Sequence, residues 1–393
     1  MTLMLIATTT LAALGIVITT VQSILTAIFR RRSRFFGEGL QQQAAASVRP
    51  AHFVSILKPI CGLEDDLEAN LESFVSLRGV DYEVLFSVAE SSDPAIPAVR
   101  RVMERFPHAP FRLIVGGDRR LESGNRKIAR LIAAAPYARG DILFISDANV
   151  RVEPNDIRGT LMAFRRPQVG CVSNLFTGAG AASLGASIES LHLLSFVAAG
   201  NVLAAMGRVP CVVGKSMAMS RQALRAIGGF ERFAGVLAED QAIGLAVRKA
   251  GYEVVLSPVV VRNIVIRRTL GRALDRQIRW NKIRFAFSRA TYSAEFLVNP
   301  LPFAILAAIL GAPLFLPLVV IVLRVAQLAL LAIATGARIR IGELALVPLL
   351  DLLQFAVQFV PYFDNRVTWR GYTARLGPRT TLVDVSEAKR AAA

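Results

Sequence analysis

Residues 3–29 carry no charged side chain, are mainly apolar, and run directly into Arg30-Arg31-Arg32-Ser33-Arg34. A helix rises about 1.5 Å per residue, so roughly 20 such residues cross the hydrocarbon of a bilayer. A chain with this feature must place one helix where no water satisfies its backbone. A cleaved signal peptide is the rival reading, but the start lacks basic residues and the run exceeds the usual apolar stretch of about 7–15 residues. A retained anchor over residues 1–34 is therefore expected. Its arginines stay on the cytosolic side and place residue 35 onward in the cytosol, at a bacterial inner membrane.

A second apolar block covers 296–335, interrupted by Pro300, Pro302, Gly311, Pro313, Pro317 and Arg324, and a third covers 343–363, with Glu343 and Asp351 as costly exceptions. Together 296–363 read as a C-terminal transmembrane region: a helical hairpin, or one span plus an interfacial segment. Arg366, Arg370, Arg375 and Arg379 in the tail 364–393 favour the cytosol, which requires an even number of crossings after the middle of the chain. The whole sequence of 393 residues is 53% hydrophobic yet 19% charged, with a mean hydropathy of +0.47. A soluble part joined to a few membrane segments fits both figures.

The formal net charge is +17. Basic residues concentrate beside the apolar blocks: 262–289 holds nine Lys or Arg against one acid, Asp275. That placement suits anionic lipid at a membrane surface. No nucleic-acid motif accompanies it, so nucleic acid is not an expected partner. Cys61, Cys171 and Cys211 have no metal-like spacing and suggest a reduced compartment, and His52, His108 and His192 are too scattered for a metal cluster.

Between 50 and 260 the pattern changes. Residues 53–57, 82–89, 111–115 and 141–146 read as buried strands, and 64–77, 94–106 and 125–135 as helices, with Asp93-Pro94 and Ser123-Gly124 as punctuation. Strand–helix alternation predicts a Rossmann-like α/β domain with a mostly parallel sheet, in which ligands bind beyond the carboxyl ends of the strands. Asp93 and Asp147 both follow strand ends and should face one crevice. No Gly-x-Gly-x-x-Gly follows the first strand and Gly116-Gly117 is a lone pair, which disfavours a dinucleotide oxidoreductase.

Three constellations carry chemistry. Apolar 142–145 followed by Ser146-Asp147-Ala148-Asn149 puts a carboxylate on a rigid strand end. There it either caps the next element or holds Mg²⁺ or Mn²⁺ against a diphosphate leaving group. Glu239-Asp240 opens a helical run. The pair either favours the helix dipole or supplies a general base for an attacking hydroxyl, and both roles fit adjacent acids. Arg276-Gln277-Ile278-Arg279-Trp280 lies in the basic stretch 261–295. This is an interfacial amphipathic helix whose arginines meet lipid phosphate, or a site segment whose Arg279 bonds a diphosphate and whose Trp280 walls an acceptor. Residues 183–206 are apolar but contain Glu189, His192 and Asn201. One crossing there would separate Asp147 from Asp240, so the segment reads as a helix near the acceptor entrance, with His192 structural.

Asp93, Asp147, Glu239-Asp240 and Arg276-x-x-Arg279-Trp280, in that order, resemble the signature of ceramide glucosyltransferases and related membrane enzymes of the inverting GT-A class. Leu57-Lys58-Pro59-Ile60-Cys61-Gly62, Gly124-Asn125-Arg126-Lys127-Ile128, Cys211-Val212-Val213-Gly214 and Trp369-Arg370-Gly371 extend the resemblance over roughly 53–375. It implies a GT-A fold between transmembrane helices, and transfer of glucose from UDP-glucose to a membrane lipid, with ceramide as best guess. Asp93 would contact the nucleoside, and Lys127 and Glu239 would assist in binding. Asp147 would hold the metal and diphosphate, Asp240 would be the base, and Arg276, Arg279 and Trp280 would close the site. Many relatives carry Asp-x-Asp where this chain has Asp147-Ala148-Asn149, which leaves Asn149 a neutral and weaker metal ligand. A hopanoid, diacylglycerol or polyprenyl-phosphate acceptor, a processive polysaccharide synthase, and a non-enzymatic scaffold stay open as alternatives.

Overall fold

The computed structural model describes residues 1–44, 52–116, 124–369 and 372–384. Gly117, Ser123, Arg370 and Gly371 lie outside these residues, as does the tail beyond 384. The chain forms two compact units: a sheet unit of Arg31–Gly180 with Ala204–Val265, and a helical unit of Met1–Arg30, Ala181–Leu203 and Ile266–Ala393.

The sheet unit holds eight strands: β1 (Phe53–Pro59), β2 (Asp81–Val88), β3 (Phe111–Val115), β4 (Ile142–Ser146), β5 (Val150–Arg151), β6 (Val169–Ala179), β7 (Ser216–Ser220) and β8 (Glu253–Ile264). Their order is β3-β2-β1-β4-β7-β6-β8-β5. The strands β3, β2, β1 and β4 are parallel neighbours. This is the crossover half that the strand–helix alternation predicts, and the α/β class with a mostly parallel sheet is the one expected. The strand β7 then runs antiparallel to both β4 and β6, while β6 and β8 are parallel. The expected strands at 53–57, 82–89, 111–115 and 141–146 all form.

One hydrophobic cluster places the site. Leu57, Leu85, Leu143 and Ile145 of the strands share it with Ile128 and Leu131 of helix Arg126–Ala134 and with Ile243 and Val247 of helix Glu239–Lys249. Burial of each such side chain contributes about 1.5–3 kcal/mol. Both helices are thereby fixed on the sheet, with their first turns directed at the residues that follow β4.

In the helical unit, three helices among the described residues are long and apolar enough to cross a membrane: Thr2–Arg31, Leu184–Met206 and Leu316–Thr335. Arg289–Val298 and Pro300–Ile309 make a fourth candidate bent by 64°, where Pro300 cannot donate a helical hydrogen bond. The helix Leu184–Met206 is mostly buried, whereas the other two expose most of their surface. It includes a π-helical stretch at Leu193–Ala198. Tight packing governs the first helix: a Cβ at Gly15 would lie 2.7 Å from the Leu297 carbonyl oxygen and 3.0 Å from Pro300 Cβ. The polar exceptions in the apolar blocks find partners. Arg324 Nε and Nη2 donate to Asp351 at 2.9 and 3.0 Å, and Glu343 accepts from Ser187 Oγ at 2.9 Å and from Arg340 at 2.8 Å. Three short strands near the C-terminus, β9 (Arg366–Trp369), β10 (Tyr372–Leu376) and β11 (Leu382–Asp384), pair antiparallel.

Candidate active site

Three segments of the sheet unit converge beyond the carboxyl end of β4. Asp147 is the first residue past that strand. Asn125 caps helix Arg126–Ala134, its Oδ1 accepting from the Lys127 and Ile128 amides at 2.9 and 3.3 Å, which presents Lys127 in the first turn. Glu239 and Asp240 form the first turn of helix Glu239–Lys249.

Lys127 joins them. Its Nζ lies 3.0 Å from Asp147 Oδ1 and 3.1 Å from Glu239 Oε1, and donates to the Gly214 carbonyl at 3.0 Å. Glu239 is further tied by Asn125 Nδ2, which donates to Oε2 at 2.8 Å. Asp240 is held differently: its Oδ2 accepts from the Gly214 amide at 2.6 Å and its Oδ1 from the Gln241 amide at 2.8 Å. A side chain at position 214 would press on this arrangement, because a Cβ there would sit 2.5 Å from Lys127 Nζ and 3.2 Å from Asp240 Cβ. The structure thus brings Asp147, Lys127, Glu239 and Asp240 into one cluster.

Electrostatics follow from burial and pairing. Burial opposes ionisation of Asp147, but Lys127 and Lys215 outweigh it and hold the carboxyl below its ordinary range. Burial likewise opposes charge on Lys127, and the facing Asp147, Glu239 and Asp240 keep it firmly protonated, above its ordinary value. Glu239 is raised, first by burial and also by neighbouring Asp240, against the pull of Lys127. A fully buried lysine supports the turn from beneath. Lys58 Nζ, on β1, donates to the Asp147 carbonyl at 2.8 Å, to the Val150 carbonyl at 3.2 Å and to Ser146 Oγ at 3.3 Å. Burial lowers its pKa to about 7.

Lys215 was not among the expected site residues. Its Nζ lies 3.0 Å from Asp147 Oδ2 and donates to Asn149 Oδ1 at 2.9 Å. The register explains its position: β4 and β7 pair antiparallel, with Ser146 opposite Ser216, so the next residues out are Asp147 and Lys215. The Asp147 amide also donates to the Lys215 carbonyl at 3.2 Å. Long-range strand pairing was the signal needed to find it.

Asp93 follows β2, which lies beside β1 as β4 does, so its strand end opens on the same edge of the sheet as Asp147. Both Asp93 oxygens accept from the Gly62 amide, at 3.0 and 3.2 Å, and Oδ1 accepts from the Ala95 amide at 2.9 Å. These bonds order the loops after β1 and β2.

Arg276, Arg279 and Trp280 belong to helix Leu270–Phe287 of the helical unit. There Arg276 forms an ion pair with buried Glu189, and Arg268 Nη1 reaches the other Glu189 oxygen at 2.6 Å. The Arg276 guanidinium lies 4.6 Å over the Trp280 ring, and the His192 ring is 6.3 Å from Trp280. Glu189, which sequence reasoning noted only as a polar interruption, therefore organises the basic motif of this unit.

Asp147 and Asn149 offer one anionic and one neutral oxygen donor two residues apart. That set fits a cation of the kind that takes one or two carboxylates and completes its shell with substrate phosphates. No group of three or more His, Cys, Asp or Glu suited to a metal occurs among the described residues.

Comparison with known proteins identifies similar chains. Ceramide glucosyltransferase 3 of Caenorhabditis elegans is 28% identical over 242 residues, covering 59% of this chain and 50% of that protein. Ceramide glucosyltransferase 1 of the same organism is 28% identical over 245 residues, with the same coverage of 59% and 50%. The chain spans about half the length of these curated relatives. Among solved structures, a mannosyltransferase from Pyrobaculum calidifontis in complex with GDP-Man and Mn²⁺ superposes with a TM-score of 0.48 at 19% identity, over 90% of this chain and 99% of that one. The sequence pattern described as Glycosyl transferase family 21 matches residues 7–382, and the chain belongs to that family.

Proposed function

We propose that this protein transfers a sugar, glucose by analogy with its relatives, from a UDP-sugar to the hydroxyl of a membrane lipid in one inverting displacement. Ceramide is the favoured acceptor. The observation that carries the reading is the cluster around Lys127, in which Asp147 after β4 meets Glu239 and Asp240 of helix Glu239–Lys249 at the carboxyl ends of the strands, where α/β sheets bind ligands. Relatives that glycosylate ceramide support the lipid acceptor. The apolar helices support attachment to a bilayer, with the catalytic part on the cytosolic side.

Within that reading the residues divide the work. Asp240 is the general base. Two backbone amides orient its carboxylate, whereas both Glu239 oxygens are committed to Lys127 and Asn125. Asp240 accepts the proton of the lipid hydroxyl as its oxygen attacks the anomeric carbon, on the face opposite the departing diphosphate. Lys127 places its charge between the acids and the diphosphate position. Asp93 orders the loops that receive the nucleoside, and Arg276, Arg279 and Trp280 form the closing motif. Asp147 with Asn149 would hold Mg²⁺ or Mn²⁺, which stabilises the leaving diphosphate when bound.

Purified protein incubated with radiolabelled UDP-sugars and a lipid extract, followed by mass analysis of labelled lipid, tests the proposal. A hexosylated lipid dependent on Asp240 is the expected product. Label released only as free sugar, or built into a polymer, would contradict it.

A further inference from the structure

The second residue after Asp147 is an asparagine, so this turn presents one carboxylate. Both oxygens of that carboxylate are engaged, Oδ1 by Lys127 and Oδ2 by Lys215, and Lys215 also occupies the Asn149 oxygen. Lys215 thus bonds both oxygen donors that a divalent cation would use. It stands there because of strand register, opposite Asp147 at the end of the β4–β7 pair, and its side chain keeps 13% of its surface exposed. The Lys215 side chain is therefore not fully sealed from solvent, unlike that of Lys58.

We propose that Lys215 is a resident cation of the diphosphate subsite. Before substrate arrives it neutralises Asp147 and satisfies Asn149. When a nucleoside diphosphate enters, Lys215 yields these oxygens and turns its ammonium onto the diphosphate, supplying part of the positive charge the leaving group needs. This inference rests on the nucleotide-sugar reading above and adds a binding residue to it. It also gives a physical role to the Asp-x-Asn departure. A second carboxylate at position 149 would compete with the diphosphate for the lysine, whereas a neutral amide gives up a weaker hydrogen bond.

The arrangement predicts two effects of opposite sign. Lys215 competes with a divalent cation for Asp147, so its removal strengthens binding of the metal alone. Lys215 also contributes a charged hydrogen bond to the diphosphate, so its removal weakens binding of the nucleotide. A residue that only held the fold together would weaken both.

The experiment uses the full chain in detergent, as wild type, Lys215→Met and Lys215→Arg, with calorimetric titration of Mn²⁺ alone and of UDP in excess chelator. Lys215→Met is expected to bind UDP about tenfold or more weakly in chelator and to bind Mn²⁺ several-fold more tightly, while Lys215→Arg retains UDP affinity. Thermal unfolding of each variant controls for folding. Unchanged UDP affinity in Lys215→Met overturns the proposal. Parallel loss of UDP and Mn²⁺ binding also overturns it, in favour of a structural role. Wild-type protein that binds Mn²⁺ but neither UDP nor GDP would defeat the nucleotide-sugar reading itself, and the proposal with it.

Discussion

Lys127 shows how much one side chain organises. It faces Asp147 and Glu239 in a setting where both carboxylates are largely removed from water. Replacing it with methionine leaves Glu239 without its cation and Asp147 with Lys215 alone, and breaking a buried pair of this kind costs about 3–5 kcal/mol. Lys127→Met should therefore lower the unfolding free energy by about that amount, read from thermal or denaturant unfolding in detergent, and should abolish transfer. Gly214→Ala is a gentler perturbation, since the added Cβ pushes on the Lys127 ammonium and on Asp240. A displacement on the order of 1 Å costs about a hundredfold in rate, so its kcat should fall by about that factor while the fold survives. Lys58 gives a pH signature. Its pKa falls from 10.5 to about 7 on burial, so between those values the unfolded chain binds the extra proton and stability rises with pH. The slope is at most about 1.4 kcal/mol per pH unit. Lys58→Met should remove that alkaline rise in an unfolding series from pH 7 to 10.

At the scale of elements, the parallel half of the sheet was legible because each strand is a short apolar run closed by Gly, Pro, Asp or Asn, and each helix begins at such a residue. The strand ends marked Asp93 and Asp147 for the same reason. The antiparallel half was not legible as a pattern. The order β4-β7-β6-β8 joins segments far apart in sequence, and nothing local to Gly214-Lys215 announces that it will lie opposite Asp147. Glu189 was hidden similarly: within an apolar helix it looked like an exception, and only packing against helix Leu270–Phe287 reveals its two arginines. Arg324 and Asp351 were visible as anomalies in apolar blocks but not as a pair. Their double hydrogen bond at 2.9 and 3.0 Å, with the pair almost wholly buried, links helices Leu316–Thr335 and Val347–Gln358. Asp351→Leu alone should destabilise by about 3–5 kcal/mol, and the added Arg324→Leu should recover much of the loss. Equal destabilisation by the single and double variants would show that the pair has no such role.

At the scale of the whole molecule, the division of labour follows the two units. The sheet unit contains Asp93, Lys127, Asp147, Lys215, Glu239 and Asp240, all carried by elements whose positions one hydrophobic cluster helps to fix. The helical unit contains the apolar helices and the arginine–tryptophan motif. Segment Ala181–Leu203 groups with the latter although it lies in sequence between β6 and β7, so the chain passes from the sheet unit to the helical unit and back before Glu239 and Asp240 are reached. Proposed transfer from a soluble nucleotide-sugar to a lipid requires both kinds of surface in one chain. The most direct test is Asp240→Asn, which keeps the shape of the side chain and removes its basicity. In single-turnover assays with radiolabelled UDP-glucose and lipid acceptor, the variant should bind the nucleotide-sugar as wild type does. Its transfer should slow by about 10²–10⁴-fold. Wild-type turnover by Asp240→Asn would contradict the account.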